Sequence, residues 1–261
     1  MTAVLYRLRQ FVIIGVLLSV QLPDVAAQEG VQRTDTIGTQ HSFYTFRPTQ
    51  LILPAALITV GWFGVENGWL CSLKNDVRDR FYDLRGDCRF RLDDRLQYLP
   101  VVAHVGMGLI GAPARHPLRE RMATTATAYA AMGIMVNSVK YTVRERRPDS
   151  GARNSFPSGH SATAFMGAEL VRLEYGNVYG AGAYAIAAGI GFMRLYNDRH
   201  WLNDVLGGAG VGILSARIAY WLLPWERRLL GWEKKAPAAL SVVPAYNPST
   251  KSIALAASLV F

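Results

Sequence analysis

Six stretches of mostly apolar residues alternate with polar segments along this 261-residue chain. Glycine and alanine recur within the stretches at spacings that let helices approach one another closely. The pattern predicts an all-α fold, a bundle of about six helices whose last member ends at Pro224. The predicted helices cover residues 51–70, 96–112, 122–141, 161–174, 178–195 and 203–223.

The composition favours a membrane-embedded helical bundle. Hydrophobic residues make up 51% of the chain and charged residues 18%, which is more apolar than an ordinary soluble enzyme. Several stretches fall short of the ~20 residues that span a bilayer, so soluble helical packing stays open as an alternative. We expect five or six membrane spans.

The two ends of the chain differ from its apolar middle. The N-terminus combines Arg7 and Arg9 with a short apolar run and small residues, which is typical of a cleaved export signal; an uncleaved anchor is the alternative. After Pro224 the chain is basic and then alternates like two short strands, which predicts a C-terminal β-hairpin. The predicted division is a signal peptide at 1–27, a polar N-terminal segment at 28–50, the main domain at 51–224, and a basic tail with a hairpin at 225–261.

Charge and cysteine usage narrow the class of protein further. The net charge is +9, but the basic residues lie between apolar stretches, which favours anionic headgroups or phosphorylated substrates over nucleic acid. Cys71 and Cys88 lie in one charged segment, and in an exported chain they either pair or remain free thiols. There is no CxxC pair, so the sequence predicts no structural metal site.

Three polar patches interrupt the apolar chain, each at the end of a predicted helix, so that a bundle can bring them together at one end. Within them, Lys140, Arg147 and Arg194 supply three cations, and arginine offers forked donors that match phosphate oxygens in pairs. Stabilising the charge on a phosphate group is most of what phosphoryl transfer requires. The patches cover residues 140–148, 155–160 and 194–204.

Two histidines in these patches suit complementary chemical roles. His200 and Asp204 are four residues apart on one helical face, so the carboxylate can fix the imidazole tautomer and leave the other ring nitrogen to attack phosphorus. His160 can then protonate the leaving group. It follows Ser158 and Gly159, which begin a helix whose N–H groups favour a phosphate oxygen.

In this order, Lys-x6-Arg-Pro, Pro-Ser-Gly-His and Arg-x5-His-x3-Asp resemble the three-part signature of the type-2 phosphatidic acid phosphatase superfamily. That superfamily includes vanadium haloperoxidases, bacterial class A acid phosphatases and membrane lipid phosphatases. The resemblance covers residues 51–224 and implies a reaction without metal or other cofactor. Met193 departs from the family, which usually has serine there. By resemblance, the phosphate is bound by Lys140, Arg147, Ser158, Gly159 and Arg194, and catalysis is carried out by His200, His160 and Asp204.

A finer similarity is to the lipid A phosphatases and related lipid phosphatases of Bacteroidetes, carried by residues 93–100, 154–160 and 194–197. It implies a lipid phosphate substrate, best matched by the 1- or 4′-phosphate of lipid A, in a bacterial inner membrane with the site facing the periplasm. No nucleic acid and no obligate protein partner are expected. Isoprenoid pyrophosphate and phosphatidylglycerophosphate remain alternative substrates. A soluble periplasmic acid phosphatase, a vanadate-dependent haloperoxidase and a non-enzymatic headgroup-binding protein are alternative functions.

Several polar residues outside the signature receive more ordinary interpretations. Asp93 and Asp94 are expected to cap the helix that follows them, and His104 to be a packed core histidine. Asn154, with its neighbour Arg153, is the best candidate for a residue that supports the site from behind. Loop positions are predicted for His41 and His116, a solvated face for Arg144, Arg146 and Arg199, and an interfacial aromatic belt for Tyr196 and Trp201.

Overall fold

A computed structural model describes residues 46–66, 68–86, 88–89, 91–232, 239–247 and 252–260. The predicted signal peptide, most of the polar N-terminal segment and His41 lie outside these residues. The described part between residues 46 and 232 is helical, as predicted. Its α-helices are α1 Ile52–Glu66, α2 Gly68–Arg85, α3 Asp93–Leu96, α4 Leu99–Gly106, α5 Leu118–Val143, α6 Gly159–Tyr175, α7 Asn177–Tyr196 and α8 Leu202–Leu229.

The described residues thus contain eight α-helices where about six were predicted. The first apolar stretch is not one helix, because α1 and α2 meet at an angle of 90°. Helix α2 also takes in the charged segment after Leu70. Its side chains Lys74 and Arg78 pair with Glu145 and Asp198 in distant loops, and these tertiary contacts hold the helix across one end of the bundle.

Helix α6 lies at the centre of the bundle, and most of its residues are buried. It packs against α4, α7 and α8, with Met166 and Leu170 fully buried in the shared core. Gly208 and Gly212 of α8 allow this close approach, because a Cβ at either position would overlap the backbone of the segment that begins α6. The second and third signature patches therefore come together at the start of α6 and α8.

The prediction that the last helix ends at Pro224 is wrong, since α8 continues to Leu229. Proline removes one backbone hydrogen bond from a helix interior, but side chains beyond it are anchored to α5. Thr127 donates a hydrogen bond to Glu226, and Arg227 pairs with Glu120 at 2.6 Å. These contacts offset the lost bond.

By length and composition, two of the described helices, α7 and α8, can cross a bilayer, or three spans result if the bent α1–α2 pair counts as one. The sequence predicted five or six. The difference arises because α4 has eight residues, because α6 has 17 residues and carries charged side chains, and because α5, although long enough, is not sufficiently apolar. Glu169 of α6 is fully buried and pairs with Arg172 and Arg217 at 2.6 and 2.7 Å, which compensates the cost of burying its charge.

Other sequence-based expectations fall outside the signature patches. His104 is a packed core histidine, as predicted, and contacts Thr125 and Tyr220. Cys71 and Cys88 are free thiols. Near the C-terminus, the backbone of strand β1, Ala239–Asn247, pairs antiparallel with strand β2, Ser252–Val260. The turn between them lies outside the described residues, so the hairpin stays a prediction.

Candidate active site

Backbone hydrogen bonds tie the three signature patches together at one end of the bundle. Helix α5 ends at Val143, its C-cap Arg144 adopts the left-handed conformation with φ 53°, and the chain then turns back toward α6. The Ser155 N–H donates to the Glu145 carbonyl, and the Ser158 N–H donates to the Asp204 carbonyl, both at 3.0 Å. The Trp201 indole N–H donates to the Arg146 carbonyl at 2.8 Å. The predicted meeting of the patches is confirmed.

His200 lies between α7 and α8 and is held by Asp204, one turn further on. Its Nδ1 lies 3.1 Å from Asp204 Oδ2. The same carboxylate oxygen accepts the hydroxyl of Ser155 and the backbone N–H of Trp201. Both contacts described for the ring involve Nδ1. A carboxylate on Nδ1 selects the tautomer in which Nε2 carries the lone pair, so Nε2 is the ring nitrogen with a lone pair available to react.

The environment of His200 favours the neutral imidazole. Burial lowers its pKa well below the ordinary value, and the cations of Arg194, Arg147 and Lys140 lower it further. These charges act on the ring because the three predicted phosphate ligands lie around it. A neutral ring and nearby cations are what attack on an anionic phosphate needs.

Asn154 holds two of these cations from behind. Its carbonyl accepts a hydrogen bond from Lys140 Nζ at 2.6 Å, and its side-chain oxygen accepts one from Arg147 Nε at 2.8 Å. The neighbouring backbone closes a turn in which Arg147 N–H donates to the Ala152 carbonyl. The sequence-based expectation that Asn154 supports the site is therefore confirmed.

Arg194, in the last turn of α7, is anchored by two acidic residues. The sequence did not predict that they lie in the site. Its Nη1 lies 2.6 Å from Asp93 Oδ2 and 3.3 Å from Asp94 Oδ1. Its Nε is buried without a hydrogen-bond partner among the described residues. A buried donor without a partner is costly, and a phosphate oxygen would satisfy it.

The start of α6 supplies the second signature patch. Ser158 is its N-cap, and the side-chain oxygen accepts a hydrogen bond from the Ser161 N–H at 3.4 Å. A Cβ on Gly159 would face open space, so a phosphate oxygen can approach its backbone. The helix N-terminus adds favourable N–H groups for an anion.

His160 faces the acidic pair on α3. Its Nε2 lies 3.0 Å from Asp94 Oδ1. The expectation that Asp93 and Asp94 cap the following helix is wrong, because both lie within α3 and the helix that follows, α4, has Tyr98 as its N-cap with no side-chain cap. Their carboxylates are instead attracted by Arg194 and His160, which come from elements about a hundred and about sixty residues further along the chain.

A second layer of charged residues lies behind Asp204 and was also missed. Glu145 accepts hydrogen bonds from Lys74 at 2.8 Å and Asn203 at 2.9 Å. Burial, and then the negative charge of Asp204, raise its pKa to about 7. Glu145 and Ser155 both lie within signature patches, and this position is the sequence feature that could have indicated their role. No signal in the sequence indicated Lys74.

Helix α2 covers one side of the third patch. Lys74 Nζ and Arg78 Cζ lie 5.1 and 5.4 Å from the centre of the Trp201 ring, within the range of cation–π attraction. A small pocket beside His200 is lined in part by these side chains. Trp201 is therefore part of the wall of the site, rather than only an interfacial aromatic residue as predicted. Across the described residues, no group of three or more His, Cys, Asp or Glu side chains is placed to hold a metal ion.

A helical bundle that gathers an oriented histidine, a second histidine and three cations at one end is suited to bind a phosphate group. Residues 122–228 match the family model of the PAP2 superfamily, and this region of the chain belongs to that superfamily. The matched region runs from α5 to the last turn of α8, and so contains all three patches.

Among curated proteins, the lipid A 1-phosphatase of Porphyromonas gingivalis is 36% identical over 182 residues, which cover 68% of this chain and 38% of that protein. The chain thus spans less than half the length of this relative. Among solved structures, a transmembrane PAP2-type phosphatidylglycerolphosphate phosphatase from Bacillus subtilis has a TM-score of 0.50 at 18% identity, covering 68% of this chain and 97% of that one. LpxE of Aquifex aeolicus has a TM-score of 0.42 at 23% identity, covering 54% and 92%.

Proposed function

We propose that this protein is a phosphatase that hydrolyses a membrane lipid phosphomonoester through a phosphohistidine at His200. In the first step, Nε2 of His200 attacks phosphorus and the bond to the leaving oxygen breaks. His160 gives that oxygen a proton. In the second step, His160 takes a proton from water, the oxygen of the water attacks phosphorus, and the P–N bond breaks to release orthophosphate.

The observation that carries this proposal is the buried Asp204–His200 pair facing three cations. Asp204 accepts three hydrogen bonds on one carboxylate oxygen, and so holds the ring in one tautomer. The cations Lys140, Arg147 and Arg194 are then available to stabilise the negative charge that spreads over the phosphate oxygens in the transition state.

The lipid part of the proposal rests on the relative and on the surface of the bundle. The relative of known function is a lipid A 1-phosphatase, so the phosphate of lipid A is the first substrate to test. Large apolar side chains on the long helices are exposed, among them Ile134, Val178, Phe192 and Trp225, which suits contact with lipid. Isoprenoid pyrophosphate and phosphatidylglycerophosphate serve as competing substrates in the same assay.

We propose that the site faces the periplasm. Helix α8 is one of the two candidate spans, and its last turn carries Arg227 and Arg228. Positively charged helix ends favour the cytoplasmic side, which leaves the start of α8, beside His200, on the other side. Intact spheroplasts should then hydrolyse added p-nitrophenyl phosphate without lysis, whereas activity that appears only on lysis would contradict this orientation.

The substrate prediction is tested with the full chain purified in detergent. We expect release of orthophosphate from lipid A, with loss of one phosphate in the mass spectrum of the lipid. The activity should persist in EDTA and fall with vanadate, which mimics the five-coordinate phosphorus. His200→Ala protein serves as the matched blank. Complete loss of activity in EDTA, or hydrolysis of the competing substrates alone, would contradict the proposal.

The lowered pKa of His200 predicts where activity is lost in acid. Protonation of Nε2 prevents attack. Because the pKa lies well below the ordinary value of about 6.5, the ring stays neutral as the pH falls through 6.5, and activity is lost only at lower pH. The measurement is kcat/KM for p-nitrophenyl phosphate against pH, which reports groups of the free enzyme. A half-loss centred at or above about pH 6.5 would show that His200 is not held neutral.

A further inference from the structure

We propose that Asp94 is the positioning residue of the general acid, so that Asp94–His160 forms a second Asp–His pair opposite Asp204–His200. This inference rests on the proposed phosphatase function, and it assigns a role to a residue outside the three signature patches. Asp94 contacts no reacting atom in this account. It acts through the ring of His160.

The contacts divide the two neighbouring aspartates between two tasks. Asp93 is buried, pairs with Arg194 at 2.6 Å, and also accepts from Asn197 Nδ2 at 3.4 Å. Asp94 pairs with His160 Nε2 at 3.0 Å and touches Arg194 more loosely at 3.3 Å. Asp93 therefore anchors the phosphate-binding arginine, while the shortest contact of Asp94 is to the histidine.

The pairing fixes which nitrogen of His160 is available. The contact described for this ring uses Nε2, so Nε2–H donates to Asp94 and Nδ1 is left for the leaving group. The ring enters the first step with both nitrogens protonated and gives the Nδ1 proton to the departing oxygen. It then accepts a proton from water at Nδ1 in the second step, while Nε2–H stays on Asp94.

The charges around His160 explain why it needs such a partner. Asp93 and Asp94 of α3, Arg194 of α7 and His200 of the loop before α8 face the ring. Burial and then the cation of Arg194 lower the pKa of His160, and the Asp94 carboxylate opposes both by raising it. Without Asp94, His160 would hold its proton only at lower pH and would turn more freely.

The position of α3 makes Asp94 a fixed partner, although its side chain is 53% exposed. Gln97 donates a hydrogen bond to the Asp94 carbonyl at 2.8 Å, and the neighbouring Asp93 is held by Arg194. The backbone of Asp94 is thus tied down on both sides. An exposed ion pair of this kind is screened by water, so we expect an effect on catalysis and a small one on stability.

The test is the Asp94→Asn variant. The matched control is Asp83→Asn, at an exposed position of α2. Two substrates separate the roles: hexyl phosphate, whose leaving alkoxide needs a proton, and p-nitrophenyl phosphate, whose leaving group needs little help. For Asp94→Asn we expect kcat to fall by about 30-fold with hexyl phosphate and by less than about 3-fold with p-nitrophenyl phosphate. The basic limb of the pH profile should move to lower pH, and Asp94→Glu should restore part of the loss.

Other outcomes overturn the inference. An equal loss with both substrates would mean that Asp94 has only a structural role. A lower KM or higher activity would mean that its carboxylate occupies the phosphate site and competes with substrate. In a His160→Gln background, Asp94→Asn should cause no further loss, and an additive loss would exclude action through His160.

Failure of this inference is distinguishable from failure of the proposed function. If wild-type protein forms no phosphoenzyme from p-nitrophenyl phosphate, the proposed function fails whatever Asp94 does. If wild-type and Asp94→Asn proteins both form it and their hexyl phosphate rates agree, only the role of Asp94 is rejected. Formation of phosphoenzyme by Asp94→Asn also shows that the variant is folded.

Discussion

His200→Ala should lower the rate of phosphate release by at least about 10⁴-fold and leave no phosphoenzyme to trap. The alanine side chain removes the nitrogen that attacks phosphorus, while the three cations that bind phosphate remain. Binding of vanadate should therefore weaken without disappearing, because the electrostatic part of the site is intact. Phosphate release from p-nitrophenyl phosphate and lipid A, measured on the same preparation, gives the comparison.

His200→Gln provides the control for folding. Glutamine keeps a polar group near Asp204, but its amide is not a nucleophile, so we expect the same loss of activity as with alanine. Thermal unfolding of His200→Gln should resemble that of the wild-type protein more closely than that of His200→Ala. A His200→Gln protein that retained phosphoenzyme formation would exclude His200 as the nucleophile.

Asp204→Asn should reduce kcat by about 10⁴-fold, the scale known for an aspartate that fixes a catalytic imidazole. Asp204 Oδ2 accepts hydrogen bonds from His200 Nδ1, the Ser155 hydroxyl and the Trp201 N–H. An amide has one oxygen and no charge, so it accepts these hydrogen bonds less strongly. It also cannot stabilise an imidazole ring that becomes positively charged after attack. Single-turnover phosphorylation measures this step directly.

Ser155→Ala is the matched control for Asp204→Asn. It removes one hydrogen-bond donor to the Asp204 carboxylate. The charge of Asp204 and its contact with His200 stay in place. We expect a loss of less than about 10-fold, with the acidic limb of the pH profile little changed. If Ser155→Ala were as damaging as Asp204→Asn, the hydrogen-bond network and not the Asp204–His200 pair would be the source of the effect.

The sequence was most informative where function depends on local spacing. His200 and Asp204 are four residues apart, and their side chains meet as predicted, although His200 lies just before the helix that begins at Leu202 and not on its face. The start of α6 at Gly159 likewise follows from a local pattern, with Ser158 as its N-cap. Such features depend on residues within one turn of each other, so periodicity and capping preferences suffice to find them.

Features that depend on distant contacts were missed. The local sequence around Asp93 predicts a helix cap. Only the packing of α3 against α7 brings its carboxylate to Arg194. Lys74 lies in a charged segment whose local pattern does not indicate a partner, yet its amine pairs with Glu145. The end of α8 was misjudged for the same reason, because Arg227 and Glu226 are held by α5. Tertiary contacts of this kind leave no local periodicity.

Mapping the trapped intermediate shows whether phosphate passes through Nε2 of His200. Wild-type protein is mixed with ³²P-labelled p-nitrophenyl phosphate, quenched in alkali, digested and analysed by mass spectrometry. We expect an acid-labile, alkali-stable phosphate on the peptide that contains His200, and none in His200→Ala. Phosphate on another residue, or full activity with no trapped phosphoenzyme under conditions of rapid quenching, would contradict it.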